Sequence, residues 1–153
     1  LATTKRQASG KCCSLCDSGS GSCERVIMEK TLADSKRRAQ QAAQRGRQAE
    51  EKACDWLTRQ GLVLVERNSR FRGGEIDLVM RDKTSVVFVE VRYRSHMAYG
   101  GALASLNLKK QARIKHAASC YLQRTYGSAH WPSCRFDVIL IQAGTLSWIP
   151  GAF

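Results

Sequence analysis

Four charged side chains interrupt two otherwise apolar runs. Glu75 and Asp77 stand in Gly-Gly-Glu-Ile-Asp-Leu-Val-Met (73–80), and Glu90 and Arg92 stand in Val-Val-Phe-Val-Glu-Val-Arg-Tyr-Arg (86–94). Both runs read as strands, whose side chains alternate between faces. The first should put Glu75, Asp77 and Val79 on one side and Ile76, Leu78 and Met80 on the other. The second should put Val87, Val89, Val91 and Tyr93 opposite Phe88, Glu90, Arg92 and Arg94. If the link from Arg81 to Ser85 closes a hairpin with Met80 opposite Val87, then Asp77 faces Glu90 and Glu75 faces Arg92. Directly opposed Cβ atoms lie about 4.5–5.5 Å apart. Two carboxylates at that spacing repel unless a proton or a cation sits between them. Mg²⁺ suits such a pair, because it takes one or two carboxylates, keeps several waters and draws further ligands from substrate phosphates. The chemistry indicated is phosphodiester hydrolysis. The competing reading makes Glu75 and Asp77 solvated edge positions and Glu90 the partner of Arg92 in a nearly neutral ion pair. Alternation fixes faces but not register, so both readings stand at this level.

These two strands, together with Gly46-Arg47-Gln48-Ala49-Glu50, Arg67-Asn68, Tyr99-Gly100-Gly101, Lys110-Gln111, Cys134-Arg135-Phe136-Asp137-Val138 and the terminal Trp148-Ile149-Pro150-Gly151-Ala152-Phe153, form an ordered set over residues 46–153. In this set the chain resembles the YraN family of small bacterial proteins. That family is regarded as predicted endonucleases of the PD-(D/E)xK superfamily, distantly similar to archaeal Holliday junction resolvases. The resemblance implies a restriction-endonuclease-like core and cleavage of DNA, branched or otherwise structured. It implies Mg²⁺ or Mn²⁺ held by Asp77 and Glu90, with the main chain at Val91 as a further ligand, and an acidic contribution from Glu50. Resolvases of a symmetric junction are typically dimers, so it also points to a homodimer. One position departs from the pattern: Arg92 stands where the superfamily usually has Lys. A guanidinium effectively never gives up its proton, so Arg92 could clamp a phosphate or orient water but not serve as general base. A second function therefore stays open, a non-catalytic nucleic-acid-binding protein on a nuclease fold.

The elements that must position these groups follow from periodicity and punctuation. Ser35 to Gln60 reads as a helix ending at Gly61, and Gly46, Glu50, Ala53 and Leu57 fall on one stripe of it. Glu50 is thus expected on the packing face, with Glu51 and Asp55 turned to solvent. Strands are expected at Leu62–Arg67, Glu75–Met80, Val86–Arg94, Arg135–Gln142 and Thr145–Ile149. A second helix should run from about Leu106 to Tyr126, with Leu108, Ala112, Ala118, Tyr121 and Leu122 inward. Consecutive strands favour antiparallel pairing, and a helix between strands permits a parallel crossover. The expected class is α/β, a mixed sheet flanked by helices, with Tyr99-Gly100-Gly101 as a connection before the second helix.

Charge names the partner. The chain has 25 basic and 13 acidic residues, net +12, with a sequence pI of about 9.8. Residues 36–153 hold 20 of the basic and 9 of the acidic residues, so almost the whole excess falls on the folding part. Such an excess is the footprint of phosphate-backbone binding. Arg70, Arg72, Arg94, Lys109, Lys110, Gln111 and Arg113 are the candidate contacts, Lys110 foremost. No run approaches the roughly 20 apolar residues that span a bilayer, and no membrane partner is expected. Residues 1–33 read as a disordered Ser/Gly/Cys-rich leader to a domain at 34–153, with a native start near Met28 as one reading. Cys12, Cys13, Cys16 and Cys23 include one C-x₂-C spacing but no second pair, an atypical zinc pattern. Without a hydrophobic secretion signal, Cys54, Cys120 and Cys134 are expected as buried thiols of a reducing cytoplasm.

Overall fold

A computed structural model of the protein describes residues 20–94, 106–128 and 130–153. The chain divides into two units, Leu1–Gln41 and Ala42–Phe153. The described part of the first is the upstream stretch of helix α1, which runs Ser20–Arg59. The second holds the rest of α1, then β1 (Val63–Phe71), β2 (Gly74–Asp82), β3 (Ser85–Arg94), α2 (Leu108–Tyr126), β4 (Cys134–Gln142) and β5 (Thr145–Ile149).

Helix α1 begins at Ser20, well before the expected Ser35, so residues 20–33 are helical and not the disordered leader anticipated for them. The reason is local. From Cys23 to Arg45 the sequence has neither Gly nor Pro and is rich in good helix formers. Lack of apolar periodicity removes a packing face, and Met28 and Leu32 are exposed accordingly. It does not remove helix propensity. Residues 1–19, with Cys12, Cys13 and Cys16, the side chain of Cys23, and the Tyr99-Gly100-Gly101 link lie outside the described residues. The helix ends as expected at Gly61, whose φ of +94° is the left-handed conformation glycine adopts without strain. The Leu62 N–H closes the end on the Leu57 carbonyl at 3.2 Å.

The five strands form one mixed sheet in sequence order, antiparallel except for the β3–β4 pair, which is parallel and joined through α2. The α/β class and every expected strand are present. Two hydrophobic layers cover the sheet. Ala49, Ala53, Cys54 and Leu57 of α1 pack with Leu78, Met80, Val87, Val89, Ile139 and Ile141. Ala117, Ala118, Tyr121 and Leu122 of α2 pack with Ile76, Val79, Val86 and Phe88. The inward stripe of α2 is Ile114, Ala117, Ala118, Tyr121 and Leu122. Leu108, expected inward, is 81 % exposed, and Ala112 is exposed too. The stripe at spacings three, one, three and one follows the helix period, and Leu108 and Ala112 lie off it. Among the three domain cysteines only Cys54 is buried, while Cys134 is exposed and Cys120 half-exposed. Nor is any described helix long and apolar enough to cross a membrane.

Candidate metal and phosphate site

The β2–β3 hairpin has the expected register, Met80 opposite Val87, closed by a two-residue turn between Asp82 and Ser85. Ladder pairing stops at Leu78 opposite Val89. Asp77 and Glu90 are the next residues outward on their strands, so they sit where the strands stop sharing main-chain bonds. There the Val91 N–H donates to Asp77 Oδ2 at 2.7 Å, and a side chain takes over a ladder position. Freed from β3, the start of β2 turns toward α2. Ile76 packs in the α2-side layer and not with Leu78 and Met80 as strict alternation would have it. Gly74 touches α2 so closely that a Cβ would lie 2.4 Å from the Arg113 carbonyl oxygen, and only glycine fits.

Glu90 is 3 % exposed and is met on one oxygen by two cations. Lys110 Nζ lies 3.2 Å and Arg92 Nε 3.5 Å from its Oε1. Its other oxygen, Oε2, is buried and accepts no hydrogen bond. Burial pushes the Glu90 carboxyl up, Glu75 adds to the rise, and Lys110 and Arg92 oppose it. The half-buried Asp77 carboxyl is pushed up to about 7, first by burial and then by the neighbouring Glu90, with a smaller push from Glu50 and opposing pulls from the Val91 N–H and Lys110. Two buried carboxylates that each resist ionisation beside the other are the situation that a proton or a cation relieves.

Glu50 is half-buried at the edge of the α1 stripe, whose buried centre is Ala49, Ala53 and Leu57. Glu51 and Asp55 are exposed, as expected. Glu75 does not face Arg92. It pairs across to Arg70 on β1, in register and at 3.7 Å, because that end of β2 is bonded to β1 alone. Arg92 lies beside Glu90, the contact that the competing reading anticipated, but Lys110 shares that oxygen. Lys110 itself, expected as the foremost phosphate contact, has a side chain only 23 % exposed and lies beside Glu90. The α2 N-terminus carries it there: Asn107 caps the helix by accepting from the Lys110 N–H at 2.8 Å. The sequence signal for this was the Asn cap three residues before Lys110; the facing strand could not be read from it. Gln111, another expected contact, is turned back onto the Leu106 carbonyl at 3.0 Å. Arg70, Arg72, Lys109 and Arg113 are exposed and Arg94 is half-buried. Arg113 is braced, its Nε donating to the Gly73 carbonyl at 3.2 Å.

Among the described residues, no three His, Cys, Asp or Glu side chains converge as a metal cage. The donor set nevertheless fits a hard divalent ion that brings its own waters, since Asp77 and Glu90 offer two carboxylates and Glu90 Oε2 is a buried acceptor without a donor. Val91 takes part through its N–H, committed to Asp77.

A second buried acid went unassigned in the sequence reading. Asp137 on β4 is fully buried and accepts from Arg135 Nε, Trp148 Nε1 and the Gly151 N–H. It ties the chain end to the sheet, and the readable signal was an Asp inside the apolar run Phe136 to Ile141 with an Arg two residues before it on the same face.

The model of the uncharacterised protein family UPF0102 matches residues 49–141, a stretch that contains Asp77, Glu90, Arg92 and Lys110. A UPF0102 protein of Alcanivorax borkumensis is 50 % identical over 113 residues, covering 71 % of this chain and 90 % of that protein. One of Pseudomonas putida is 49 % identical over 115 residues, 71 % of this chain and 91 % of its own. One of Klebsiella pneumoniae is 44 % identical over 126 residues, 82 % and 98 % respectively. The chain belongs to the UPF0102 family.

Proposed function

We propose that this protein is a divalent-metal-dependent endonuclease that hydrolyses phosphodiester bonds in DNA, branched or otherwise structured. The observation that carries the reading is the pair Asp77 and Glu90 where the β2–β3 ladder ends, each pushed toward the protonated form and one buried oxygen lacking a donor. Asp77 and Glu90 would hold Mg²⁺ or Mn²⁺, with the Val91 carbonyl as a further ligand. Bound there, the ion would neutralise charge at the phosphoryl oxygens and lower the pKa of water. Glu50, which acts electrostatically on Asp77, would orient water. Arg92 would hold the scissile phosphate, for which its fork of donors is suited and proton transfer is not. Lys110, beside Glu90, supplies the ammonium that the strand position lacks, a group that can pass a proton as well as carry charge. Its place on α2 supports a lysine role at the site despite Arg92 on the strand. The basic excess supports an anionic polymer as substrate. A homodimer acting on a symmetric junction is part of the same proposal.

A non-catalytic DNA-binding protein is the second reading, and one observation favours it: Glu90 Oε1 already has two cations, as in a charge-balanced structural cluster. Incubation of labelled four-way junction, duplex and single-stranded DNA with Mg²⁺ or Mn²⁺ separates the two. The first reading expects cleavage by wild type and loss of cleavage, with binding kept, in Asp77→Asn. It expects a fall of about 10²-fold or more in Lys110→Met, as for the loss of a positioned proton-transfer group. DNA binding without cleavage of any substrate leaves the second reading.

A further inference from the structure

Beside the carboxylate site two clefts adjoin and share Phe71. The nearer is lined by Arg70, Gly73, Gly74, Glu75 and Arg113. Glu75 stands two residues before Asp77 on β2, so this cleft lies along the strand that carries the candidate phosphate site. The farther is an apolar groove of about 550 Å³ between Phe71, His116, Cys120 and Trp131. His116 bridges them, with its ring against Gly73, where an added Cβ would come within 3.6 Å. Trp131 is 47 % exposed yet fixed, since its Nε1 donates to the Gly127 carbonyl at 2.6 Å.

The function proposed above needs none of these aromatic side chains, and Lys and Arg alone would serve phosphates. An occupant must bring an anion to Arg70 and Arg113 and, one step away, a flat apolar face to Trp131 and His116. A nucleotide has both. A base inside a duplex has its faces covered by its neighbours, so only an unstacked one can enter. We infer that the groove between Phe71, His116 and Trp131 binds a single unpaired nucleobase, whose flanking phosphate lies against Arg113 and Arg70. The inference rests on the nucleic-acid reading of the adjacent site and specifies its substrate as DNA with an unpaired nucleotide next to the bound phosphate. Charge complementarity selects nucleic acid over an apolar peptide: among the described residues Arg113, braced on Gly73, has no carboxylate within ion-pair distance, and Arg70 has only the solvated Glu75 at 3.7 Å.

The test is metal-free binding of two oligonucleotide duplexes of equal length, one fully paired and one with a single unpaired 2-aminopurine, read by anisotropy and by 2-aminopurine fluorescence. Wild type should prefer the unpaired form by about 10-fold or more, the scale of one base stacked on an aromatic ring. Trp131→Ala and His116→Ala should each reduce that preference severalfold with fully paired affinity unchanged, and Trp131→Phe should retain most of it. The preference is a ratio within one protein, so a partly destabilised variant still reports it. No preference in wild type, an unchanged preference in both alanine variants, or an equal loss for both DNAs overturns the inference. Cleavage without such a preference would overturn this inference alone, whereas absence of all DNA binding would remove the reading beneath it as well.

Discussion

The sheet carries two buried acidic centres that differ in one respect: whether the protein supplies what the acid needs. Asp137 has Arg135 on both oxygens, the Trp148 indole and the Gly151 N–H, and Arg135 is further held by Asp82 at 2.7 Å. Asp77 and Glu90 have one backbone N–H and two cations, the latter crowded onto a single oxygen, and Oε2 has no donor. A fully satisfied buried carboxylate builds structure. A pair left short of donors costs stability, and such deficits collect where an exogenous cation or substrate completes the set.

Substitution should expose the difference most strongly at Asp137. Asp137→Ala leaves the Trp148 and Gly151 donors without an acceptor and Arg135 with Asp82 in place of two carboxylates. The loss should be about 3–5 kcal/mol, as for breaking a buried ion pair from one side, seen as a lower urea midpoint.

Asp77→Asn should do the opposite in metal-free protein. A carboxyl whose folded pKa is raised from its ordinary value of 3.8 to about 7 binds its proton more tightly folded than unfolded. Its stabilisation is therefore full below about pH 3.8 and lost as pH rises through about 7. At about 1.4 kcal/mol per tenfold proton preference, the loss is bounded at about 4 kcal/mol. Wild type stripped of metal should weaken across that window, and Asp77→Asn, whose amide can still accept from the Val91 N–H, should weaken less, with only the buried Glu90 left to ionise. Equal slopes would show that Asp77 is not the strained member.

A smaller cost is expected for Gly74→Ala. Its Cβ must displace the main chain at Arg113, for about 1–3 kcal/mol of overpacking, with weaker DNA binding because Arg113 moves. Smallest is Arg92→Lys. With Lys110 already beside Glu90, stability should change by less than about 1 kcal/mol, since the exchanged ion pair is partly solvated, and cleavage should fall modestly. A large gain in cleavage would mean that Lys110 does not supply the missing ammonium.

How far the sequence reached follows from which forces are local. The hairpin register could be stated only conditionally, because alternation fixes faces and not register; the two-residue turn selects the one with Met80 opposite Val87. The mixed sheet followed from element order, which favoured antiparallel neighbours and permitted a parallel crossover through α2, whereas the order of the strands in the sheet was not read. Ile76 was misassigned to a face because alternation needs regular extended backbone, and here the ladder is irregular: β2 loses β3 beyond Leu78, and Asn68, between the Arg67–Leu78 and Ser69–Ile76 pairs, has a left-handed φ of +51°. Lys110 was read as a phosphate contact and not as the partner of Glu90, because helical position gives a face but not the strand opposite it. The early start of α1 was missed because disorder was inferred from the lack of a packing face, when helix propensity alone extends α1 to Ser20. Asp137 was legible in type and position but not in its partner Trp148, which lies on another strand.

The direct test of the central claim, that Asp77 and Glu90 are completed by a cation, is thermal unfolding of wild type and Asp77→Asn at about pH 8, above the raised Asp77 value of about 7, with and without saturating Mg²⁺ or Mn²⁺. Wild type should melt several degrees higher with metal and Asp77→Asn should not. An unchanged wild-type melting temperature, or an equal rise in both proteins, would contradict the claim.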